Sequence, residues 1–533
     1  MATVQKCFIP PRLIQTQFLQ GKLFRTILRR SFSVSQTKAV KSHDPALASR
    51  TINYPRWTPL PSHGRYISGK DIKSSEYLFK DGEKANEVVT LTGRILSKRE
   101  SSAKLIFYDI VHNGDPVQVV ASRNRFHRSE HFVEINRGAS RGDIFAFTGV
   151  LGKTNHGQVS VFASELELLT PCLHDLPKTG VKDPEKRFRQ RYLDMLVNPE
   201  PLTILRTRSK IVRFIRQFLD ERDFLEVETP VLASKAGGAS ARPFVTRANA
   251  LDMSMQLRIA PELYLKQLVI GGIERVYEIG KQFRNEGIDA DHNPEFTTCE
   301  FYQAYGNLDS LMADTETMLS EMVQYINGSK VITKNGQHLH FDRPFAKINV
   351  VDYLDTKLEL VGKSIAKMDA TELRDLCQQH NIPVQAPFTE SRILDKLISH
   401  IIEPECIQPT FLYNHPLALS PLAKDMTYGT KGRVAARFEL FVAKKEIVNA
   451  YEELNDPKEQ RLRFEQQVKD RQLGDIEAPI PDVAFCEALE YGLPPTAGWG
   501  MGVDRVVQLL TGAHHIREVI AFPVVRSSPS HET

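Results

Sequence analysis

The sequence has no CxxC motif, no long apolar run, and no acid in its first 43 residues. Its six cysteines, Cys7, Cys172, Cys299, Cys377, Cys406 and Cys486, are scattered and never adopt a CxxC spacing. That argues against a disulfide framework and against a zinc site. Nothing approaches the roughly 18 consecutive apolar residues that a spanning helix requires, so no membrane insertion is expected. No internal repeat is visible. A composition of 41% hydrophobic and 25% charged residues excludes wholesale disorder, collagen and coiled coil. At 533 residues the chain has room for two to four domains of roughly 100–200 residues each.

The net charge of +4 is unevenly placed. Residues 1–43 carry eight basic residues: Lys6, Arg12, Lys22, Arg25, Arg29, Arg30, Lys38 and Lys41. Taking those eight from the 69 basic residues leaves 61 against 65 acids, a net of −4. The segment is also amphipathic: Leu19, Leu23, Phe24, Ile27 and Leu28 can share a helical face. An acid-free, Arg- and Ser-containing amphipathic start is the pattern of a mitochondrial transit peptide. The alternative is a basic arm that grips nucleic acid.

Residues 44–87 read as an irregular or partly helical lead-in. From Val88 to about 172, short β-rich runs follow one another: Val88–Leu96, Lys104–Ile110, Val117–Ala121, Ile144–Val150 and Val159–Leu169. Turn signals such as His112-Asn113-Gly114-Asp115 separate them. Five strands with a helical link near Ser129–Asn136 predict an OB-fold barrel, a common single-strand nucleic-acid binder. Residues 173–190 read as a linker. The rest, 191–533, is mixed α and β, with a helical insertion at about 345–400. The expected class is α+β.

Three stretches carry chemistry. Val276–Phe283 and Phe296–Gln303 read as strands around a polar loop that begins Arg284-Asn285-Glu286. Alternation puts Phe296, Thr298, Glu300 and Tyr302 on one face, a set suited to stacking and cation recognition. Phe438–Tyr451 is also β-rich, and alternation aligns Asn449, Tyr451 and Glu453. Glu446 has the opposite parity, so it joins the same site only if the strand bulges. Gly498–Gly502 reads as a Gly-rich turn entering a buried helix, which carries Arg505 near its N-terminus. Phe224–Pro230 reads as a strand after a helix that contains Ile211, Ile215, Phe218 and Leu219.

These runs resemble the class II aminoacyl-tRNA synthetases. Phe224–Pro230 is similar to their motif 1, Phe283–Glu286 through Glu300–Tyr302 to motif 2, and Gly500–Arg505 to motif 3. The runs Gly237-Gly238-Ala239, Ala241–Phe244, Arg258–Tyr264 and Asn449–Asp456 resemble the lysine-specific branch in particular. Asp223 stands where the motif 1 region often has glycine.

The resemblance implies an antiparallel catalytic sheet flanked by helices, with a homodimer formed through motif 1. It implies activation of L-lysine by ATP to lysyl-adenylate, then transfer to the 3′ end of a lysine tRNA. Arg284 and Arg505 would be catalytic. Arg284, Glu286, His292, Phe296, Glu446 and Arg505 would bind ATP. Gly238, Glu262, Arg284, Glu300, Tyr302, Asn449, Tyr451 and Glu453 would bind lysine, with Glu300 and Tyr302 on the ε-ammonium and Glu262 on the α-ammonium. Mg²⁺ would be held by Glu446 and Glu453. In the barrel, Phe107 and Gln118 would take the central anticodon base, with Arg99 and Glu165 as further contacts. With the basic leader, this implies an enzyme of the mitochondrial matrix. The rival readings are a catalytically silent tRNA-binding or regulatory paralogue, and a sister ligase for aspartate or asparagine.

Overall fold

A computed structural model describes residues 64–126, 129–478 and 481–526. The expected transit segment and residues 44–63 of the lead-in lie outside the described residues. The chain forms two compact units, one ending at Leu176 and one beginning at Pro177.

The first unit is a barrel. Its strands are Lys84–Ser102, Leu105–His112, Asp115–Ser122, Ile144–Lys153 and Val159–Thr170. They close in the order first, second, third, fifth, fourth and back to the first. Only the third and fifth run parallel. Alternation sends Ile106, Tyr108 and Ile110 into a core shared with Val119, Phe145 and Phe147. The turn between the second and third strands is a two-residue hairpin, with Asn113 and Gly114 both at positive φ. Asparagine and glycine tolerate that conformation, which matches the strand twist. Helix Ser129–Gly138 buries Phe132 in the same core. So do Ile67 and Ile72, from a strand-and-helix segment within what the sequence reads as lead-in.

The second unit is built on an eight-stranded sheet. In spatial order its strands are Ala346–Asn349, Thr410–Tyr413, Arg437–Val442, Lys445–Glu452, Thr496–Gly502, Glu295–Ala304, Arg275–Phe283 and Leu225–Glu226. The pairings are antiparallel except at the two edges. Helices Glu200–Asp220, Leu308–Asn327 and Val503–Thr511 bury apolar stripes against one face. Phe301 and Trp499 stack there, with ring centres 4.8 Å apart. Their strand neighbours Glu300, Tyr302, Gly498 and Gly500 therefore line the opposite face, where a cavity opens.

Several local expectations need correction. Phe224–Pro230 is not a full strand. Only Leu225–Glu226 pairs, parallel to the sheet edge, and Thr229 instead binds the buried Glu278 carboxylate. Asp223 has φ +60°, so the turn has a left-handed residue without glycine there. Gly498–Gly502 is not a turn but the end of the central strand Thr496–Gly502. A Cβ on Gly498 would stand 1.9 Å from Glu453 Oε1, so the glycine makes room for a site carboxylate. Residues 173–190 include a helix, Pro184–Arg189, capped by Asp183. The region 345–400 begins with a sheet strand and continues as helices Val350–Lys357, Ala370–Gln379 and Glu390–Ile401 around their own core.

Candidate functional site

The cavity has a volume of about 490 Å³ and is lined from all three chemistry-bearing stretches. What brings Glu446 into it is a β-bulge. Across the pair of strands Arg437–Val442 and Lys445–Glu452, Leu440 faces Val448 but Phe441 faces Glu446. The extra residue, Ile447, reverses the parity of everything before it. Glu446, Asn449 and Tyr451 thus line the same cavity.

The closed end of the cavity holds three carboxylates and one cation. Helix Glu262–Ile270 places Glu262 and Lys266 one turn apart, and Lys266 Nζ is 2.8 Å from Glu262 Oε1. The same Nζ is 2.5 Å from Glu453 Oε2. Tyr451 donates from its hydroxyl to Glu262 Oε2 at 2.7 Å. Glu300 lies nearer Arg284 and accepts a long contact from the Tyr302 hydroxyl at 3.4 Å. Burial pushes the Glu300 carboxyl up, and the neighbouring Glu262 charge adds to this, to about 8. Burial also pushes Glu453 well up; Lys266 opposes it without cancelling it. Glu453 Oε1 has no hydrogen-bond partner. A buried group of three acids with one lysine is short of positive charge, so it is built to receive a cation. Gly238, at φ +85°, closes over this end, and a Cβ there would stand 2.9 Å from Glu262 Cβ.

The open end is cationic and aromatic. The Arg284 guanidinium lies 5.1 Å from the centre of the Phe296 ring. Arg505 donates through Nη1 to the Glu446 carbonyl at 2.9 Å and to Glu446 Oε2 at 3.1 Å. Its Nη2 approaches His292 Nε2 at 3.3 Å, while His292 Nδ1 meets the Asp289 carboxylate at 2.9 Å. His292 thus bridges the Asp289 carboxylate and the Arg505 guanidinium through its two ring nitrogens. Glu286 lines the same mouth. A pair of guanidiniums beside an aromatic face suits a nucleotide with its phosphates.

One expected pairing fails. Glu446 and Glu453 cannot share an ion, because seven residue steps of largely extended chain set them roughly 20 Å apart. The residue the sequence reading missed is Glu439. It sits opposite Asn449 on the adjacent strand and lines a second, adjoining cavity together with Glu446. Burial raises the Glu439 carboxyl, but Arg437 and His415 outweigh this and hold it ionised. Nearby Glu403 is pushed up to about 7 by burial and by the charges of Glu439, Asp395 and Glu446. That excess of acid fits a hard divalent cation, which takes one or two carboxylates and completes its shell with phosphate oxygens. Asp504 was also missed. It binds Arg208 and accepts from the Thr297 backbone at 2.7 Å, which locks the Arg505 helix to the central sheet.

In the barrel, Arg99, Phe107 and Gln118 come together on the outer face. Phe107 is half-buried and outside the core. It faces Arg99 across one strand pair and Val120 across the other. Arg99 lies 5.8 Å from its ring centre and pairs with Asp109 at 3.2 Å. Gln118, one diagonal step away, accepts from Ser160 at 2.9 Å. Glu165 is exposed and stands apart from these three, past a bulge in the fifth strand.

Comparison with known proteins agrees with this architecture. The family of class II tRNA synthetases (D, K and N) matches residues 183–526, and the OB-fold nucleic acid binding domain matches 89–169. A probable cytoplasmic lysine–tRNA ligase of Encephalitozoon cuniculi is 47% identical, covering 83% of this chain and 88% of that one. Lysine–tRNA ligases of Enterococcus faecalis and Bacillus subtilis are 44% and 42% identical, each also covering 83% of this chain and 88% of the relative. The chain belongs to the class II aminoacyl-tRNA synthetases, within the lysine–tRNA ligase family.

Proposed function

We propose that this protein is a lysine–tRNA ligase that activates L-lysine with ATP and passes the lysyl group to a lysine tRNA. The observation that carries the choice of lysine is the cation-poor group Glu262, Glu300 and Glu453 around Lys266. An aspartate or asparagine ligase would need a cation or an amide partner there.

The cavity's polarity orients the substrate. Arg284, at the boundary between mouth and closed end, takes the lysine carboxylate and the α-phosphate together. The α-ammonium lies one carbon from that carboxylate, so Glu300 receives it. The ε-ammonium then reaches the closed end, toward Tyr302, Glu262, Tyr451 and Glu453. This reverses the roles that the sequence resemblance implies for Glu300 and Glu262, because Glu300 is the acid beside Arg284. The adenine would lie between Phe296 and Arg505, with its amino group toward Glu286, and His292 would meet the outer phosphates. A carboxylate is already nucleophilic at neutral pH. The site therefore contributes alignment for in-line attack and neutralisation of charge rather than a base. Glu439 and Glu446 would hold Mg²⁺, which when bound would neutralise phosphate oxygens.

The barrel's outer face would take the anticodon, with the central base stacked on Phe107 and read by Gln118. A homodimer through the motif 1 region is supported by the exposed apolar side chains Leu225, Val231, Leu232 and Val245. A location in the mitochondrial matrix is supported by the acid-free, Arg-rich first 43 residues. Lysine-dependent ATP–pyrophosphate exchange followed by tRNA charging tests the activity. A folded protein that does neither would be the silent paralogue instead. Recovering the protein from mitochondria and sequencing its N-terminus tests the location.

A further inference from the structure

The barrel carries a second aromatic on the same face as Phe107. Phe107 pairs with Val120, and Val120 pairs with Phe162, so the two rings stand in one transverse row across three strands. At the usual strand spacing they are about 10 Å apart. Phe162 is 8% exposed, buried on this outer face beneath cationic side chains, and is not among the side chains that fill the barrel interior.

Two cations converge on its ring from different elements. Lys84 belongs to the first strand, which reaches the fifth through the fourth: Lys84 faces Gly152, and Gly152 faces Ser160. Its Nζ is 4.4 Å from the Phe162 ring centre. Arg125 follows the third strand, and its guanidinium is 5.3 Å from the same centre. Neither forms an ion pair among the described residues, whereas nearby Lys153 pairs with Asp81 at 3.5 Å. Burial and the Arg125 charge both push the Lys84 ammonium down. Two like charges are thus held against one ring with no carboxylate between them. Cation–π attraction accounts for each contact with the ring but not for the mutual repulsion. A phosphate between the two would relieve that repulsion.

We propose that Lys84 and Arg125, braced on Phe162, form a phosphate clamp for the RNA strand whose base stacks on Phe107. The inference rests on the reading of the barrel as the anticodon face and adds a backbone contact to it. Phosphate contacts set register and affinity, whereas Phe107 and Gln118 supply the base contacts. The clamp also gives a protein that is net acidic beyond residue 43 a local place to grip RNA.

The test uses full-length enzyme with Lys84→Gln and Arg125→Gln combined. Lysine-dependent exchange should be unchanged. The KM for lysine tRNA should rise roughly tenfold near physiological salt, and the slope of log affinity against log salt should fall by between about one and two. The charge-keeping variant Lys84→Arg should retain normal charging. An acceptor-stem minihelix without the anticodon arm should be charged equally by both enzymes. Inorganic phosphate at millimolar concentration should not compete, which separates an RNA strand from a free-anion site. An unchanged KM and salt slope in the double variant would overturn the clamp. Phe107→Ala, run alongside, keeps the two ideas distinct. If it impairs charging while the double variant does not, only the clamp fails; if neither impairs charging, the anticodon-face reading fails as well.

Discussion

Lys266 Nζ stands 2.5 Å from Glu453 Oε2 at a place where neither side chain reaches solvent. The pair is a fixed part of the proposed lysine pocket. It leaves the pocket with more acid than base and so defines what the pocket lacks. Breaking a buried pair by removing one partner costs about 3–5 kcal/mol, because the other charge is left uncompensated. Lys266→Met should therefore lower the melting temperature clearly and weaken lysine binding. Adding Glu453→Gln to that variant should recover part of the stability, a non-additivity that thermal melts of the two singles and the double would show.

The raised carboxyl of Glu300 gives lysine activation a pH dependence. In the free enzyme the group is largely protonated below about 8. An ammonium needs the ionised form, so kcat/KM for lysine should climb as pH rises from about 6.5 to 8.5. The sign for stability is opposite. A carboxyl raised on folding binds more protons in the native state, so the unliganded protein loses this contribution as pH rises from about 4.5 towards 8. The rise in melting temperature produced by lysine should accordingly be larger at pH 8 than at pH 6. Glu300→Gln should flatten both profiles.

Gly498 allows Glu453 and Tyr302 to approach the central strand. A Cβ there would stand 1.9 Å from Glu453 Oε1 and 2.7 Å from Tyr302 Cε1. Gly498→Ala should raise the KM for lysine by an order of magnitude or more, about 1.4 kcal/mol. Its KM for ATP should change much less, because Phe296 and Arg505 are at the other end of the cavity. Steady-state exchange kinetics with each substrate varied in turn would separate the two effects.

Phe107 is outside the barrel core, so its removal should not unfold the barrel. Phe107→Ala should weaken tRNA charging by about 1–3 kcal/mol, the usual contribution of one base stacked on an aromatic. Lysine activation should be unaffected. Comparing charging with exchange on one preparation checks this.

Much of the site was legible because strand parity is a local property. Alternation alone put Phe296, Thr298, Glu300 and Tyr302 on one face, and they line one cavity. The parity conflict at Glu446 called for a bulge, and the pairing breaks at Leu440 and Phe441. What was not legible depended on other elements. The glycines of 498–502 read as a turn, because nothing in their own run shows the Glu453 carboxylate packed against them. Glu439 was passed over because its partnership with Glu446 is made across strands. Lys266 had a local signal, a lysine one helical turn after Glu262, but such pairs are usually solvated. Its burial comes from Glu453, far away in sequence. The barrel strands were legible from turn chemistry, whereas the part played by Ile67 and Ile72 required the closed barrel to be seen.

As proposed, the pocket selects a substrate with two ammonium groups, one beside Arg284 and one at the Glu453 end. The most direct measurement is ATP–pyrophosphate exchange with lysine, norleucine and aspartate as the varied amino acid. Norleucine keeps the four-carbon stem of the lysine side chain but lacks its terminal ammonium, and would leave the buried acids unpaired. kcat/KM for lysine should stand about 10⁴-fold or more above that for norleucine, with no exchange from aspartate. Norleucine within tenfold of lysine, or exchange driven by aspartate, would contradict that selectivity.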